Sequence, residues 1–441
     1  GHDQEIDRFL SEHNPYPNLK MNSITQYTLT APAHINTNIK LPASKSISNR
    51  SLIIYALSNQ KTLPTNLSDC DDTQVLAAAL RDMPETINIH AAGTAMRFLT
   101  AYLSVTPGEH LLTGTERMKH RPIGELVDAL HYLGADITYT EEKGFPPLYI
   151  KGRQLEGGTL EIPGNLSSQF ISALLLIGPV LKNGLILKLK GTIISRPYID
   201  LTLWTMREYG AKADWTDIDT ITVAGTPYQS RPYFIENDWS SASYWYEAIT
   251  LSKNSQSRIQ LEGLMDGSKQ GDSVVKYIFN LLGIKTSFAS TQTGETTTVT
   301  LKRYPCLLPR LEYDFKGSPD LAQTLVTCCC GMNIPFRFTG LSNLRIKETD
   351  RIAALEKELR KLGFVLKDEK GDTLYWTGER CEASFEPIDT YEDHRMALSF
   401  APLSAIFPGL RINHPEVVSK SYPNYWKDLL AAGYTIKSSN I

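Results

Sequence analysis

The sequence predicts an α/β protein of two similar domains, each built from three β-α-β-α-β-β units around buried helices. Three observations lead to this fold class. The 441 residues exceed what one ordinary hydrophobic core accommodates. A pattern of strand, helix and hairpin recurs along the chain. Each repeat also carries a helix that is apolar nearly all round, which is typical of a buried helix, beside an amphipathic one.

Each repeat first shows a strand that ends on a turn residue and leads into an amphipathic helix. These strand ends fall 72 to 77 residues apart, and a degenerate copy begins near Asn66. They are Gly114, Gly191, Gly263, Gly340 and the weaker Asn413. The helices are expected to stop at glycine, which closes a helix by adopting a left-handed conformation. The glycines are Gly134, Gly210, Gly283, Gly363 and Gly433.

The second helix of each repeat begins at a capping residue and continues with apolar or small side chains. Ser, Thr, Asp or Gly at a helix start can cap the free backbone N–H groups. The segment Ser-Ser-Gln-Phe-Ile-Ser-Ala-Leu-Leu-Leu from Ser167 onward is an example. The expected starts are Ser44, Gly93, Ser167, Ser240, Ser318 and Asp393.

Six units of similar length nearly fill the chain, so a break between two domains is expected near Glu236 and Asn237. A doubly wound nucleotide-binding fold is the alternative. It lacks support, because the sequence contains neither G-x-G-x-x-G nor G-x-x-x-x-G-K-[ST].

The charge balance excludes a broad basic surface. The chain has 45 Lys and Arg residues and 48 Asp and Glu residues, a formal net charge of −3, so no nucleic-acid partner is expected.

The longest apolar run, residues 173–181, is too short to cross a bilayer and is broken by Gly178-Pro179, so no membrane partner is expected. The acidic N-terminal segment lacks a signal-peptide pattern, which predicts a cytoplasmic location.

The six cysteines give no sign of a metal or redox motif. None forms a C-x-x-C pair, so neither a zinc site nor a thioredoxin-like site is indicated. The run from Cys328 to Cys330 is typical of small apolar residues in a buried helix, with a reactive thiol as the alternative.

Basic residues recur at the starts of the predicted helices and in the loops before them. A cation there opposes the helix dipole unless an anion is bound, and an anion at a helix N-terminus resolves the conflict. The alternative is that these basic residues are solvated surface side chains. This alternative becomes weaker as more basic residues occupy equivalent positions. The pattern therefore predicts a cleft that binds small, highly charged anions. Its cations are Lys45, Arg50, Arg97, Arg121, Lys347, Arg351, Arg395 and Lys420.

Two carboxylates, Asp320 and Glu348, belong to the same set. Each could simply cap a helix or pair with a nearby cation, as Glu348 could with Arg351. Placed beside substrate in an electropositive cleft, they would suit a general base and a general acid.

Taken together, these motifs resemble the 5-enolpyruvylshikimate-3-phosphate synthase family of enolpyruvyl transferases. The resemblance runs from about Ile24 to Tyr434 and depends on several separate motifs. They are Ser44-Lys-Ser-Ile-Ser-Asn-Arg50, Ala92-Gly-Thr-Ala-Met-Arg97, Arg117-Met-Lys-His-Arg-Pro-Ile-Gly124, Ser167-Ser-Gln-Phe170, Ser195-Arg-Pro-Tyr-Ile-Asp200, Asp238-Trp-Ser-Ser-Ala-Ser-Tyr244, Lys347-Glu-Thr-Asp-Arg351 and Asp393-His-Arg-Met-Ala397.

The resemblance implies an inside-out α/β barrel of two domains that close over two substrates. Residues 44–237 would form the first domain, and residues 21–43 plus 238–441 the second, discontinuous one. Residues 1–20 would be an N-terminal extension or a segment added for expression. A monomer is implied, and neither a metal nor an organic cofactor.

The implied reaction transfers the carboxyvinyl group of phosphoenolpyruvate to the 5-hydroxyl of 3-phosphoshikimate and releases phosphate through a tetrahedral intermediate. The implied catalytic groups are Lys45, Asp320 and Glu348. Those for 3-phosphoshikimate are Lys45, Ser46, Arg50, Ser167, Ser168, Gln169, Ser195, Tyr198, Asp320, Asn343 and Lys347. Those for phosphoenolpyruvate are Lys45, Gly93, Arg121, Gln169, Arg351, Arg395 and Lys420. Arg97 takes no ligand in this scheme and is interpreted as structural.

Two positions depart from the family pattern. Ala43 replaces the usual Gly, and Ala91 replaces an Asn whose amide would lie near the phosphoenolpyruvate site. A related transferase that acts on UDP-N-acetylglucosamine is the nearest rival, but its loop cysteine is missing between Gly114 and Arg121. An inactive anion-binding protein is a second rival, disfavoured by the intact charged set.

Overall fold

Helices and strands alternate along the whole chain in this computed structural model, which describes residues 2–12, 25–59, 61–194, 196–289 and 295–441. The α-helices of the described residues are α1 (His2–Glu12), α2 (Lys45–Leu57), α3 (Asp71–Asp82), α4 (Gly93–Val105), α5 (Gly124–Tyr132), α6 (Ser168–Ile177), α7 (Arg196–Glu208), α8 (Trp239–Ser252), α9 (Val275–Leu281), α10 (Ala322–Gly331), α11 (Arg351–Lys361), α12 (His394–Phe400) and α13 (Tyr425–Ala431).

The strands follow the same chain order. They are β1 (Thr25–Thr30), β2 (Asn36–Lys40), β3 (Thr86–Asn88), β4 (Gly108–Thr113), β5 (Asp136–Tyr139), β6 (Leu148–Gly152), β7 (Gly158–Pro163), β8 (Leu185–Lys190), β9 (Ala213–Trp215), β10 (Thr220–Val223), β11 (Arg258–Met265), β12 (Ile284–Phe288), β13 (Thr296–Arg303), β14 (Leu311–Asp314), β15 (Phe336–Thr339), β16 (Lys367–Glu369), β17 (Thr373–Trp376), β18 (Leu410–Asn413) and β19 (Thr435–Asn440).

Four sheets share one plan, and this plan is the predicted repeat. Their strand orders are β3-β4-β6-β5, β7-β8-β10-β9, β2-β11-β13-β12 and β14-β15-β17-β16. In each sheet the first pair is parallel and the other two pairs are antiparallel. Side chains alternate across the sheet: in β8 the Leu residues at 185, 187 and 189 are buried and the residues after each are exposed. A parallel pair needs a crossover, which one buried helix supplies in three of these sheets, whereas residues 41–257 separate β2 from β11.

The other two copies are incomplete. Strand β1 pairs antiparallel with both β18 and β19, which gives a three-stranded sheet. The degenerate copy predicted near Asn66 is reduced, among the described residues, to a single parallel bridge that joins Thr65 to Phe234. The weak sequence signal of these two copies agrees with their smaller number of paired strands.

Three helices in each half of the chain are buried as predicted. Helices α2, α4 and α6 contact one another, and so do α8, α10 and α12. Helix α4 is buried from Gly93 to Ser104, and α8 from Trp239 to Leu251 except at Ser240. Cys328, Cys329 and Cys330 lie inside α10, and burial raises the pKa of each thiol, so the prediction of small apolar core residues is confirmed. The predicted α/β fold class is confirmed.

The amphipathic helices end where the glycines predict. Glycine after each helix lets the chain take a positive φ without steric cost. The five glycines are Gly134 (φ 100°), Gly210 (84°), Gly283 (90°), Gly363 (94°) and Gly433 (103°).

The chain divides into two units between Ile235 and Glu236. The first unit contains the described residues of 2–12 and 44–235, and the second contains those of 25–43 and 236–441. Helix α1 was not predicted; it packs on α3 in the first unit and buries Ile6 and Leu10. None of the helices in the described ranges is both long and apolar enough to span a membrane.

Candidate active site

The start of helix α2 positions the first group of predicted residues. Ser44 caps the helix, since its hydroxyl accepts a hydrogen bond from the Ile47 N–H at 3.2 Å. Lys45 follows at the first helical position, and its Nζ lies 3.4 Å from Oδ2 of Asp72. Asp72 is buried in the first turn of α3. The conflict between Lys45 and the helix dipole is therefore relieved partly within the first unit itself.

Arg50 lies one turn further along α2, with its guanidinium buried among hydroxyl groups. Nε donates to Oγ1 of Thr202 at 2.6 Å, Nη2 donates to Oγ of Ser172 at 3.1 Å, and Nη1 donates to the Ser46 carbonyl at 3.0 Å. In the described part of the chain no carboxylate lies within 4 Å of it. Burial lowers the pKa of Arg50 to about 10, so the group stays charged at neutral pH. It is a fixed, buried cation without a counter-ion in that part of the chain.

A second cationic site surrounds the start of helix α4. A Cβ atom added to Gly93 would lie 2.5 Å from Nη1 of Arg121 and 2.7 Å from Nη1 of Arg97. Glycine is therefore required there for both guanidinium groups to reach the helix start. Neither Ala92 nor Gly93 supplies a side-chain cap, and the Arg121 Nε is buried without a hydrogen-bond acceptor in the described residues. The start of α4 therefore combines nearby guanidinium groups with a helix N-terminus that no side chain caps, and an anion can bind at such a place.

Helix α6 brings polar groups to the same helix starts. The Ser167 hydroxyl accepts from the Gln169 N–H at 3.3 Å and caps the helix, and Ser168 is its first residue. The Gln169 amide donates to Oγ1 of Thr94 at 3.0 Å, which links α6 to α4. Tyr198 lies in α7, where its carbonyl accepts from the Thr202 hydroxyl that also contacts Arg50. Ser195 lies outside the described residues.

Arg351 is the centre of the charged cluster in the second unit. It opens helix α11, and its side chain is 2% exposed. Nε lies 2.9 Å from Oδ2 of Asp393, Nη2 lies 2.5 Å from Oε2 of Glu348, and Nη1 lies 3.3 Å from Oδ1 of Asp320. Burial disfavours the charged guanidinium, but these carboxylates outweigh it and raise the pKa of Arg351.

Glu348 is held by several positive partners. Its Oε1 lies 3.1 Å from Nζ of Lys420 and 3.6 Å from Nε2 of His394. Burial alone would raise its pKa, but the charges of Arg351 and Lys420 and the His394 contact hold that pKa well below its usual value. Glu348 is therefore ionised at neutral pH in this arrangement.

Asp320 and Arg395 complete the cluster. Asp320 Oδ2 lies 3.5 Å from Nη2 of Arg395, and Nη1 of Arg395 donates to the Tyr244 hydroxyl at 2.8 Å. Asp393 caps helix α12 by accepting from the Arg395 N–H at 3.0 Å. Burial raises the pKa of Tyr244 to about 12, so this hydroxyl stays neutral and can accept from Arg395.

The same carboxylates could in principle ligate a metal. Donor atoms of Glu348, Asp393 and His394 lie within 4.8 Å of one another. Arg351 and Lys420 already place their charges on Glu348, and Arg351 also contacts Asp393. A divalent cation would be repelled by these two groups, so the described residues fit a cationic side-chain network better than a metal site.

Some residues of this site were not predicted. Asp393 was predicted as a helix start and as part of a motif, but not as a residue of the site. Tyr244 was likewise noted only within a motif. Asp72 carried no signal, because it lies 27 residues after Lys45 and meets it only through the packing of α3 on α2.

The remaining predicted residues of the second unit are Asn343 and Lys347. Asn343 lies in the 3₁₀ helix Ser342–Ile346, and no hydrogen bond joins it to the cluster among described residues. Lys347 follows that helix and is partly exposed.

The chain is similar to known proteins over most of its length. The family model for EPSP synthase (3-phosphoshikimate 1-carboxyvinyltransferase) matches residues 29–89 and 83–429. A 3-phosphoshikimate 1-carboxyvinyltransferase of Bacteroides fragilis is 55% identical over 413 residues, which cover 93% of this chain and 99% of that protein. The one of Shewanella halifaxensis is 35% identical over 436 residues, covering 92% and 99%.

Solved structures show the same fold at lower identity. EPSP synthase from Acinetobacter baumannii aligns with a TM-score of 0.74 at 22% identity, covering 94% of this chain and 100% of that one. The enolpyruvyl transferase NikO from Streptomyces tendae aligns with a TM-score of 0.69 at 15% identity, covering 95% and 100%.

Proposed function

The chain belongs to the EPSP synthase family, and we propose that it transfers the carboxyvinyl group of phosphoenolpyruvate to the 5-hydroxyl of 3-phosphoshikimate. The observation that carries the proposal is the charged cluster of the second unit, in which two carboxylates and three cations share contacts. The substrates are small anions with carboxylate and phosphate groups. Such groups bind to oriented Arg and Lys side chains.

In the first unit, the proposed roles are binding roles. Lys45, Gly93, Arg121 and Gln169 would bind phosphoenolpyruvate at the starts of α2, α4 and α6. Arg50 would supply a charge to 3-phosphoshikimate, since its charge is not cancelled by a described carboxylate. The remaining groups for 3-phosphoshikimate here are Lys45, Ser46, Ser167, Ser168, Gln169, Ser195 and Tyr198.

In the second unit, the proposed roles include proton transfer. Asp320 would take the proton of the 5-hydroxyl as its oxygen bonds to C2 of phosphoenolpyruvate. Glu348 would deliver a proton to the C3 methylene, which completes the tetrahedral intermediate. Loss of a proton from the resulting methyl group then restores the double bond as phosphate leaves.

The other groups of the second unit would bind substrate anions. Arg351, Arg395 and Lys420 would hold phosphoenolpyruvate, and Asn343 and Lys347 would contact 3-phosphoshikimate. Fixed charges of this kind stabilise a transition state with little reorganisation.

The ionisation of Glu348 places a condition on this mechanism. A carboxylate held by Arg351 and Lys420 cannot donate a proton. A bound phosphate or carboxylate would attract the same two cations and weaken their hold on Glu348. The pKa of Glu348 would then rise, and it could be protonated for the addition step.

A phosphate-release assay tests the proposed function. Purified protein is expected to release phosphate only when both phosphoenolpyruvate and 3-phosphoshikimate are present. Activity with UDP-N-acetylglucosamine in place of 3-phosphoshikimate, or no activity with either acceptor, would contradict the proposal. A monomeric state and a cytoplasmic location remain predictions.

A further inference from the structure

Glu348 and Lys347 lie on a short segment that joins strand β15 to helix α11. The segment starts at the core, where Leu341 and Leu344 are buried and the Leu341 N–H donates to the Asp372 carbonyl at 2.9 Å. After the 3₁₀ helix Ser342–Ile346, residues 347–350 form no helix or strand. Its geometry therefore depends on side-chain contacts.

Arg345 supplies those contacts through all three of its nitrogens. Nη1 donates to Oδ2 of Asp350 at 3.2 Å, and Nη2 lies 3.2 Å from Oδ1 of Asp368 in β16. Nε donates to the Gly371 carbonyl at 3.3 Å, in the turn between β16 and β17. One guanidinium group thus ties the segment to the hairpin on one side and to the start of α11 on the other.

Asp350 extends the link to the charged cluster. Its Oδ1 caps α11 by accepting from the Ala353 N–H at 3.1 Å, while Oδ2 accepts from Arg345. The next residue is Arg351, which holds Glu348 and Asp320. The two ends of the segment that carries Lys347 and Glu348 are therefore fixed through one arginine.

Glu356 of α11 is a neighbour of the contact between Arg345 and Asp368. Burial and the nearby Asp368 carboxyl group raise the pKa of Glu356 to about 8, so Glu356 is mostly protonated at neutral pH. It therefore adds little negative charge beside the contact between Arg345 and Asp368.

We infer that Arg345 is a positioning residue that fixes Lys347 and Glu348 in their working geometry. This inference depends on the proposed function. It assigns Arg345 no contact with substrate. Arginine suits the role because its planar fork reaches three acceptors at fixed angles, which lysine cannot do.

The test is a double-mutant cycle in the full-length protein with Arg345→Ala and Glu348→Gln. Because an error of about 1 Å in placing a reacting group can cost about 10²-fold in rate, R345A is expected to lower kcat by roughly 10 to 10²-fold. In the E348Q background R345A should cause less than about threefold further loss in kcat, since the group it positions no longer acts. Arg345→Lys should recover only part of kcat.

Arg337→Ala is the matched control. Arg337 pairs with Glu369 at 2.8 Å on the same sheet but is only half-buried, and that partner lies outside the segment, so R337A should leave kcat within about twofold of the wild type. If R345A does not fold, Asp368→Asn breaks one contact of Arg345 and is expected to give a smaller loss with the same non-additivity.

Two results would overturn the inference while leaving the proposed function intact. One is a folded R345A protein with the kcat of the wild type. The other is a loss that multiplies fully with that of E348Q, which would indicate a general structural effect. An inactive wild-type protein would instead contradict the proposed function.

Discussion

The two units share a repeat but differ in what surrounds their arginines. In the first unit, Arg50 is buried among hydroxyl groups, and neither it nor Arg121 has a carboxylate partner within the described residues, although Lys45 contacts Asp72. In the second unit, Arg351 and Arg395 both contact carboxylates. The same β-α-β-α-β-β plan therefore carries uncompensated arginines in one unit and compensated arginines in the other.

If the proposed function is correct, this difference would separate binding from proton transfer. An anion that meets Arg50 or Arg121 gains a charge partner without displacing one. An anion that meets Arg351 or Lys420 must compete with Glu348 and Asp320. In the proposed mechanism, that competition would weaken the contacts of two carboxylates when a substrate binds, which suits groups proposed to exchange protons.

The strongest test of this division removes the carboxylates of the second unit. Glu348→Gln and Asp320→Asn are each expected to lower kcat by about 10² to 10⁴-fold, the usual contribution of a general acid or base. The rate of phosphate release at saturating substrates measures the effect. Glu312→Gln, an exposed carboxylate on β14 that pairs with Arg310, should leave kcat unchanged. A kcat within threefold of the wild type for either variant would remove the proton-transfer role from that residue.

Stability should distinguish the two buried arginines. Arg351→Met leaves Asp393, which is fully buried, without its main counter-charge, and we expect a loss of about 3 to 5 kcal/mol in the free energy of unfolding. Arg50→Met is expected to cost about 1 kcal/mol, because Ser172 and Thr202 still hydrogen-bond to each other at 2.7 Å.

Urea unfolding of both Met variants at 25 °C measures this difference. Arg196→Met, on a side chain that is 45% exposed, is the control for loss of a cation. Equal losses for R351M and R50M would contradict the contrast between compensated and uncompensated cations.

A smaller effect concerns Glu247, a carboxyl group buried in α8. Burial raises its pKa well above the usual value, although Thr327 donates to its Oε2 at 2.9 Å. The folded protein then keeps a proton that the unfolded chain releases near pH 4.3, so this group lowers stability as pH rises from there toward its folded pKa.

Glu247→Gln should remove that dependence. The stability of E247Q relative to the wild type is expected to rise by about 1.4 kcal/mol for each pH unit in this interval. Urea unfolding at several pH values measures it, with E312Q as the control. A constant difference between E247Q and the wild type across pH 5 to 8 would show that Glu247 is ionised in the fold.

The smallest expected effect is proton uptake on binding. If anions weaken the hold of Arg351 and Lys420 on Glu348, binding should take up as much as one proton at neutral pH. Calorimetric titration with 3-phosphoshikimate and inorganic phosphate, which do not react, in buffers of different ionisation enthalpy measures this uptake. E348Q should abolish it. Uptake that persists unchanged in E348Q would assign the proton to another group.

Much of the fold was predictable because its signals are local. The capping residues at Ser44, Ser167 and Asp393 begin helices where predicted, and Gly134 and Gly210 end them. Two helix starts shifted. Asp238 rather than Ser240 caps α8, and after Ser318 a 3₁₀ turn, Pro319–Leu321, precedes α10. A capping residue can be identified locally, but the choice among several nearby candidates depends on packing.

The candidate site was predictable in its residue types but not in its pairings. Basic residues at helix starts indicated anions, and Asp320 and Glu348 were chosen as carboxylates near them. The contact of Lys45 with Asp72 and the contact of Arg395 with Tyr244 join segments that are distant in sequence. No local sequence pattern therefore predicts these contacts. The helix α1 over residues 2–12 was also missed, because it carries no repeat signal.

The sequence by itself determined the repeat, the buried helices and the set of charged groups at helix starts. These depend on periodicity, capping and charge at particular positions, which neighbouring residues set. Only the tertiary structure decided which charges are compensated: hydroxyl groups surround Arg50, whereas carboxylates surround Arg351. The physical reason is that the energy of a buried charge depends on what lies within a few ångströms in space, and packing brings those groups from distant parts of the chain.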